Sequence, residues 1–330
     1  MMVSPNDNPR EEGAALLTVL LLVATMSIIA AMTLERLTLA THVAAQGGSV
    51  GQARSYAMAM EQIAGIRLSA IKARSSIMSA DSGWQNRPFT VPLEGGRAEA
   101  TIKDGGNCFN LNSLVTFGQD GLAAGSPEMM TQFIALMGAL NIPRNDAELI
   151  AASATDWIDS DTLPLTNGAE DDAYRGGTGN YLPANMLMAE ASELRAVKGV
   201  TPKYYTQLKP YVCALPVAEP SGINVNSLLP EQAALIAMLA PGWLDLSAAR
   251  QHLMGRPVGG WSNAEAFWSS GRFGGMNPPE NAATQVKVTT RWFRLKSDVQ
   301  LGDTNVTATA LLDADSQPVK TVRRIWGEEE

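Results

Sequence analysis

Six carboxylates that could hold a metal ion lie within one short stretch near the middle of the chain. They are Asp156, Asp159, Asp161, Glu170, Asp171 and Asp172. The alternation of Asp159 and Asp161, followed by a Leu-Pro-Leu-Thr-Asn-Gly loop and further acids, suits Ca²⁺, which takes six to eight oxygen ligands in flexible geometry. The ligand order of an EF-hand is absent. The stretch predicts either a calcium site or a solvated acidic loop that contains a helix-capping aspartate.

The only two cysteines, Cys108 and Cys213, form a second candidate pair. No Cys-x-x-Cys motif and no Cys/His cluster accompanies them. Their number, together with a membrane anchor that would export the residues after it, favours a disulfide in an oxidising compartment. Two free buried thiols are the alternative. A disulfide would close a loop of about 105 residues, worth up to about 4.7 kcal/mol in the chain-entropy model.

Catalytic groups have little support in the sequence. His42 and His252 are the only histidines and lie about 210 residues apart, and no GxSxG, HExxH or Walker pattern occurs. Paired carboxylates could serve a glycosidase, but the acidic stretch is better suited to a metal site and aromatic residues make up only 6% of the chain. We therefore expect no enzyme. The net charge of −8 gives no electrostatic reason to approach nucleic-acid phosphates.

A helix-hairpin-helix pattern occurs at Glu193-Leu-Arg-Ala-Val-Lys-Gly-Val200, with Lys198, Lys203 and Lys209 nearby. Such motifs often bind the DNA backbone. The alternative is a tight helical hairpin in which Gly199 permits the turn. The acidic composition and an exported location favour the hairpin.

The segment that must position everything else is the N-terminal run from Arg10 to Arg36. Its 21 residues from Ala14 to Leu34 carry no charge, and as a helix they would span about 31 Å, enough to cross a bilayer. A cleaved secretory signal is disfavoured because the leader before Ala14 is acidic and the apolar run is too long. A plain membrane anchor and a retained assembly helix remain as interpretations.

Beyond the apolar run, helical periodicity continues to about Ser79, with a bend or break expected at the glycines 47, 48 and 51. The apolar positions are Ala53, Ala57, Met60, Ala64, Leu68 and Ile71. Predicted strands are Phe89–Leu93, Arg97–Lys103, Gln285–Ser297, Asn305–Leu312 and Val319–Trp326. Predicted helices between them are Glu128–Leu140, Asp146–Ile158, Met186–Val197, Pro202–Tyr211, Pro230–Leu239 and Leu246–Met254.

This order predicts an α+β fold in which the long helix packs on one antiparallel sheet and a large all-α domain is inserted between strands. The predicted divisions are a leader (1–13), a transmembrane helix (14–34), a helix with the first strands (35–112), the inserted α-domain (113–279) and the C-terminal strands (280–330).

The plan resembles the minor pseudopilin K family of the bacterial type II secretion system, a pilin-like family. The resemblance rests on Gly13-Ala-Ala-Leu-Leu-Thr-Val-Leu-Leu-Leu, Asn107-Cys-Phe-Asn-Leu-Asn112, Asp156-Trp-Ile-Asp-Ser-Asp161, Gly168-Ala-Glu-Asp-Asp-Ala-Tyr174 and Ile223-Asn-Val-Asn226. It implies cleavage after Gly13 by the prepilin peptidase and methylation of Ala14. It also implies a single-pass protein of the inner membrane, with its bulk in the periplasm.

Assembly with the minor pseudopilins I and J at the pseudopilus tip is a further implication of the resemblance. Most pilin-like proteins carry glutamate at the fifth mature position to pair with a neighbour's terminal amine. This chain has Thr18 there, and the family likewise lacks the glutamate, which suits a subunit with nothing above it. The alternative function is a membrane-anchored periplasmic helix-hairpin-helix protein that binds DNA; otherwise we expect no nucleic-acid partner.

The resemblance also implies structural Ca²⁺ in the inserted domain. We expect Asp159, Asp161, Glu170 and Asp171 to be the ligands, with Asp156 and Asp172 in reserve. Such an ion would hold together a loop whose like charges repel.

Overall fold

The computed structural model describes residues 9–175, 181–274 and 278–327. In these residues the helices are α1 (Pro9–Arg74), α2 (Pro127–Ala139), α3 (Arg144–Asp156), α4 (Asp171–Tyr174), α5 (Pro202–Leu208), α6 (Ala234–Ala237), α7 (Leu246–Met254), α8 (Ala264–Ser269) and α9 (Glu280–Gln285). The strands are β1 (Phe89–Leu93), β2 (Gly96–Asp104), β3 (Phe109–Asn110), β4 (Val115–Phe117), β5 (Ala123–Gly125), β6 (Val212–Cys213), β7 (Ile223–Asn224), β8 (Val286–Lys287), β9 (Trp292–Leu301), β10 (Thr304–Asp313) and β11 (Lys320–Trp326).

Helix α1 is continuous over 66 residues, a length of about 99 Å. Of the bend or break predicted at Gly47, Gly48 and Gly51, the break is wrong, because the helix continues through all three glycines. Glycine keeps its backbone N–H, so it weakens a helix by about 1 kcal/mol without interrupting the hydrogen-bond ladder. A side chain added at any of the three would contact nothing within 4 Å, so no other element of the described chain packs against these positions. The helix ends at Arg74, earlier than predicted, and the Ser75 hydroxyl then donates to the Ile77 carbonyl.

The C-terminal part of α1 packs on the sheet through an apolar stripe with small side chains. Ala53, Ala57, Met60, Ala64 and Leu68 are all buried, at the three- and four-residue spacing that the sequence predicts. Glu61 lies beside this stripe and is only 3% exposed. Its carboxylate accepts hydrogen bonds from Arg324 at 2.5 and 2.6 Å and from the Thr321 hydroxyl at 2.7 Å. This buried ion pair fixes α1 to β11.

The five long strands form one antiparallel sheet in the order β1-β2-β9-β10-β11. The predicted pairing of the two early strands with the three C-terminal strands is confirmed, as is the α+β class. Asp104 at the end of β2 lies opposite Phe293 on β9. The chain therefore leaves and re-enters the sheet at the same end, and residues 105–291 form an inserted block.

The inserted block has its own apolar core and is mainly helical. It also contains three short strand pairs, of which β3–β6 and β7–β8 are parallel and β4–β5 is a hairpin. The predicted helices Met186–Val197 and Pro230–Leu239 are wrong in extent. The first is a 3₁₀ turn at Ala191–Ala196 and the second is a 3₁₀ turn followed by α6. Residues 233–240 are buried on all sides, so their apolar run carries no amphipathic period.

The predicted strand Gln285–Ser297 is in fact split between two sheets. Residues 286–287 pair with β7 inside the inserted block, and the long sheet resumes only at Trp292. The inserted domain was predicted to span residues 113–279. In the structure, β2 ends at Asp104 and β9 begins at Trp292, so the inserted block is longer at both ends.

A buried polar network joins the inserted block to the sheet. The Asp104 carboxylate accepts hydrogen bonds from the hydroxyls of Ser227 at 2.6 Å and Thr290 at 2.5 Å. It also accepts the backbone N–H groups of Gly106 and Asn107. Burial, which outweighs these bonds, raises the pKa of Asp104. The Asp104 carboxylate thus joins the end of β2 to two segments of the inserted block, those that contain Ser227 and Thr290.

The structure joins Cys108 and Cys213 in a disulfide, with their Cα atoms 5.8 Å apart. The bridge lies beside the parallel β3–β6 pair, because Cys213 ends β6 and Cys108 precedes β3. Free buried thiols, the alternative left open by the sequence, are not what the structure contains.

Candidate metal centre

Three of the predicted carboxylates converge just after the C-terminus of α3. Asp159 and Asp161 follow that helix, and Glu170 is the residue before α4. One ligand oxygen from each lies within 4.8 Å of the others. Oδ1 of Asp159 and both carboxylate oxygens of Glu170 are buried and have no hydrogen-bond partner among the described residues. Buried carboxylate oxygens are normally hydrogen-bonded or bound to a cation, so these three point to an ion.

The electrostatics of the cluster are unfavourable without a cation. Burial, followed by repulsion from Asp161, Asp156 and Glu170, raises the pKa of Asp159 to about 7. Burial, followed by repulsion from Asp156, Asp161 and Asp171, raises the pKa of Glu170 to about 7. A divalent cation bound between these carboxylates would lower both pKa values. All of the available ligand atoms are oxygens, which fits Ca²⁺. A six-coordinate ion would need further oxygen ligands beyond these carboxylates.

Asp156, predicted as a reserve ligand, is placed to fold the loop. Its buried carboxylate accepts the backbone N–H of Leu165 at 3.1 Å and that of Ala169 at 2.6 Å. A Cβ at Gly168 would lie 1.9 Å from Asp156 Oδ2, so only glycine permits this close approach. Burial raises the pKa of Asp156 despite these two bonds. The Asp156 side chain therefore holds residues 165–169 against the C-terminal end of α3.

Asp171 and Asp172 point to a different partner. Arg175 donates to Asp171 Oδ2 at 2.6 Å and to Asp172 Oδ1 at 3.3 Å. Asp171, predicted as a ligand, lies outside the cluster of three, and its carboxylate pairs with Arg175 just after α4. Asp172, the other reserve, also lies outside the cluster of three.

Asn185 is a candidate ligand that the sequence pattern does not indicate. Its side-chain N–H donates to the Asp161 carbonyl at 3.2 Å, and its backbone N–H donates to the Trp157 carbonyl at 3.0 Å. Its Oδ1 is buried with no hydrogen-bond partner in the described part of the chain. The backbone is left-handed here, with φ of 46°, which asparagine tolerates better than most residues. A neutral amide oxygen is an ordinary calcium ligand.

The other motifs take structural positions. Gly199 has φ of +88°, and a Cβ there would lie 3.0 Å from the Leu149 side chain on α3, so the predicted hairpin turn is packed on the core. His252 is buried against Trp261, Phe267 and Phe273. Burial lowers its pKa. His42 is exposed on α1, a different element from the one that carries His252.

The predicted processing site, Gly13-Ala14, lies within α1, and residues 1–8 of the leader are outside the described residues. Helix α1 is the one described helix that is long and apolar enough to cross a membrane. The Thr18 hydroxyl donates to the Ala15 carbonyl at 2.9 Å, so it is satisfied within its own helix.

Known proteins resemble the chain over nearly its full length. A family model described as type II secretion system (T2SS), protein K matches residues 107–217, and a second model with that description matches residues 223–289. The type II secretion system protein K of Pectobacterium carotovorum subsp. carotovorum is 34% identical over 96% of this chain and 97% of its own length. The Klebsiella pneumoniae protein of the same name is 34% identical over 97% and 98%.

A solved structure shares the fold. It is the crystal structure of the GspK-GspI-GspJ complex from the enterotoxigenic Escherichia coli type 2 secretion system. The matching chain has a TM-score of 0.72 and 29% identity, and the match covers 84% of this chain and 96% of that one.

Proposed function

Because this chain belongs to the type II secretion system protein K family, we propose that it is a minor pseudopilin that assembles with minor pseudopilins I and J at the tip of the pseudopilus. The observation that carries the proposal is the long helix α1. Every described side chain from Ala14 to Gly48 is exposed. A helix this long and uncovered has no stable role in an isolated soluble molecule, whereas a membrane and neighbouring subunits would cover it.

The proposed membrane segment runs from Ala14 to Leu34, after cleavage behind Gly13 by the prepilin peptidase and methylation of Ala14. Its side chains are uncharged and exposed, as a lipid-facing helix requires. The Cys108–Cys213 disulfide supports a periplasmic location for the bulk of the chain. The protein would therefore be a single-pass protein of the inner membrane.

The proposed contact with I and J uses the face of α1 that points away from the sheet. Met58 and Ile66 on this face are 39% and 72% exposed. Ala59, Gln62 and Ala70 lie between or beyond them on the same face and are also exposed. This face carries no charge and has small side chains, so another helix could approach closely.

A tip position is supported by Thr18. Its hydroxyl is used within α1 and cannot form the ion pair with a neighbour's terminal amine that a glutamate would form. A subunit with no neighbour above it loses nothing by this.

The proposed metal is structural Ca²⁺. Asp159, Asp161 and Glu170 would hold it, and Asn185 would add a neutral oxygen. The bound ion would supply positive charge that offsets the repulsion among these buried carboxylates. Asp156 holds the loop closed by accepting the Ala169 N–H, and Glu170 is the residue directly before α4. No catalytic step is proposed.

Co-purification of the full-length chain with I and J from a membrane extract tests this function. We expect a stable complex that Ile66→Glu disrupts, because the charge would lie in the helix contact. Val258→Glu is the matched control, since Val258 is fully exposed on the inserted block. Failure of the unmodified chain to co-purify would contradict the proposal, and a shift of duplex DNA at low salt would favour the helix-hairpin-helix alternative instead.

A further inference from the structure

Large apolar side chains are exposed around the candidate metal centre. They belong to the β4–β5 hairpin (115–125), the metal loop (156–172) and the turn at 181–190, and we call their exposed surface the loop rim. Phe117 and Leu122 of the hairpin are 54% and 57% exposed. Leu163 of the metal loop is 75% exposed, and Met186 of the turn is 65% exposed.

Hydrogen bonds hold the three segments of the loop rim together as one surface. The Ser160 backbone N–H donates to the Ala123 carbonyl at 3.0 Å, and the Ala123 N–H donates to the Ser160 hydroxyl at 2.9 Å. Asn185 donates to the Asp161 carbonyl at 3.2 Å and to the Trp157 carbonyl at 3.0 Å. The metal loop is thus fixed to the hairpin on one side and to the turn on the other.

The exposure of these side chains is not explained by folding. Trp157 and Ile158 in the same loop are buried, which shows that the loop has access to the core of the inserted block. Each apolar side chain left in water forgoes roughly 25 cal/mol per Å². Contiguous apolar surface on a soluble domain marks a site of interaction.

The three segments of the loop rim are strongly acidic, and the cations that reach them from outside are Arg175, which pairs with Asp171 and Asp172, and Arg323, which donates to the Ala189 carbonyl. The three segments contain eight carboxylates and no lysine or arginine, a formal charge of −8 that equals the net charge of the whole chain. The carboxylates are Asp120, Asp156, Asp159, Asp161, Glu170, Asp171, Asp172 and Glu190. One divalent cation would still leave a strongly negative surface. The rest of the chain is balanced, so the field of the protein is concentrated at this rim.

We propose that the loop rim is a docking surface for a segment of a partner protein that is both basic and apolar. Leucine-like side chains of that segment would cover Leu163 and Met186, and its lysines or arginines would face the surrounding carboxylates. Charge complementarity of this kind accelerates association and excludes acidic partners. Nucleic acid and anionic lipid are repelled by the same field. The proposal does not depend on the proposed cation or on assembly with I and J.

A photo-cross-linking probe tests this surface on the full-length chain in a neutral detergent. The probe is a short synthetic peptide of alternating lysine and photo-leucine, and its counterpart has glutamate in place of lysine. EDTA is present throughout, so that the outcome does not depend on the cation. We expect the lysine peptide to cross-link to residues 115–125, 160–165 and 185–187, and the glutamate peptide to leave these residues unlabelled.

Paired variants separate docking from general stickiness. Leu163→Ser with Met186→Ser keeps the charge and removes two apolar contacts, so half-saturation should need about tenfold more peptide, which corresponds to about 1.4 kcal/mol. The control pair is Met254→Ser with Val258→Ser, since these residues are 69% and 104% exposed beside Arg250 and Arg256. Equal labelling at residues 254–258, equal labelling by the two peptides, or no effect of the rim variants would overturn the proposal.

Discussion

Removal of calcium should make the stability of the chain strongly dependent on pH. In metal-free protein, burial and neighbouring carboxylates raise the pKa values of Asp159 and Glu170 from 3.8 and 4.5 to about 7. A carboxyl with a raised folded-state pKa destabilises the folded chain as the pH rises from the unfolded value towards the folded one. The metal-free protein should therefore be more stable at pH 5.5 than at pH 8.

The size of this effect follows from the two pKa values. One unit of difference in pKa corresponds to about 1.4 kcal/mol. Most of the gain between pH 8 and pH 5.5 arises below pH 7, which gives about 2 kcal/mol for each carboxyl and about 2–4 kcal/mol for the pair. For a domain of the size of the inserted block, this is about 5–10 °C in melting temperature. Calcium at a hundred times its dissociation constant should add about 2.7 kcal/mol at pH 8.

Thermal unfolding of the full-length chain in detergent, followed by circular dichroism, measures both effects. The control variant is Asp159→Asn, which removes one repelling charge. In metal-free protein at pH 8 it should melt higher than the unmodified chain, and calcium should stabilise it less. Magnesium should stabilise the unmodified chain weakly, because it demands a tighter octahedral site. The reasoning is refuted if metal-free protein melts at the same temperature at both pH values, or if Asp159→Asn lowers the melting temperature in EDTA.

Three further predictions concern single residues. Asn185→Ala should weaken calcium binding about tenfold in calorimetric titration while Asn185→Asp retains it, because the buried, unpaired amide oxygen would complete the proposed site. Equal affinity in the unmodified chain and both variants would exclude Asn185 as a ligand. Cys213→Ser should lower the free energy of unfolding by about 2–5 kcal/mol in urea, since the disulfide closes a loop with a sequence separation of 105, and an unchanged midpoint would contradict this. Glu61→Gln should cost about 2 kcal/mol by weakening the buried pair with Arg324, whereas the exposed Glu94→Gln should cost less than about 0.5 kcal/mol.

The arrangement of the long helix and the sheet could be predicted because the hydrophobic periodicity of the sequence indicates each of these elements. The uncharged run after Gly13 and the spacing of Ala53, Ala57 and Met60 predict α1 and its buried stripe. Alternation in the C-terminal strands predicts the sheet. The errors occur where local pattern and tertiary packing disagree. Residues 286–287 have strand character but pair with Ile223–Asn224 in the inserted block, and no local signal distinguishes the two sheets.

The candidate metal centre could be predicted only in part. Residues close in sequence, Asp159 and Asp161, were sufficient to indicate an oxygen-rich site, and Glu170 joins them in space. Asp171 stays a prediction; it lies outside the cluster of three, and its carboxylate pairs with Arg175, an i,i+4 pair that the sequence does contain. Asn185 was missed because 24 residues separate it from Asp161. Its contribution depends on a fold that brings the turn back to the loop.

The proposed assembly role is tested by the mass of the mature N-terminus, measured on chain purified from cells that contain the prepilin peptidase. The proposed assembly role requires that α1 be retained from Ala14 onward, where its described side chains are exposed as far as Gly48. It predicts a chain that begins at Ala14 and carries one added methyl group. A chain that still begins at Met1, or one cleaved after Leu34, would contradict it.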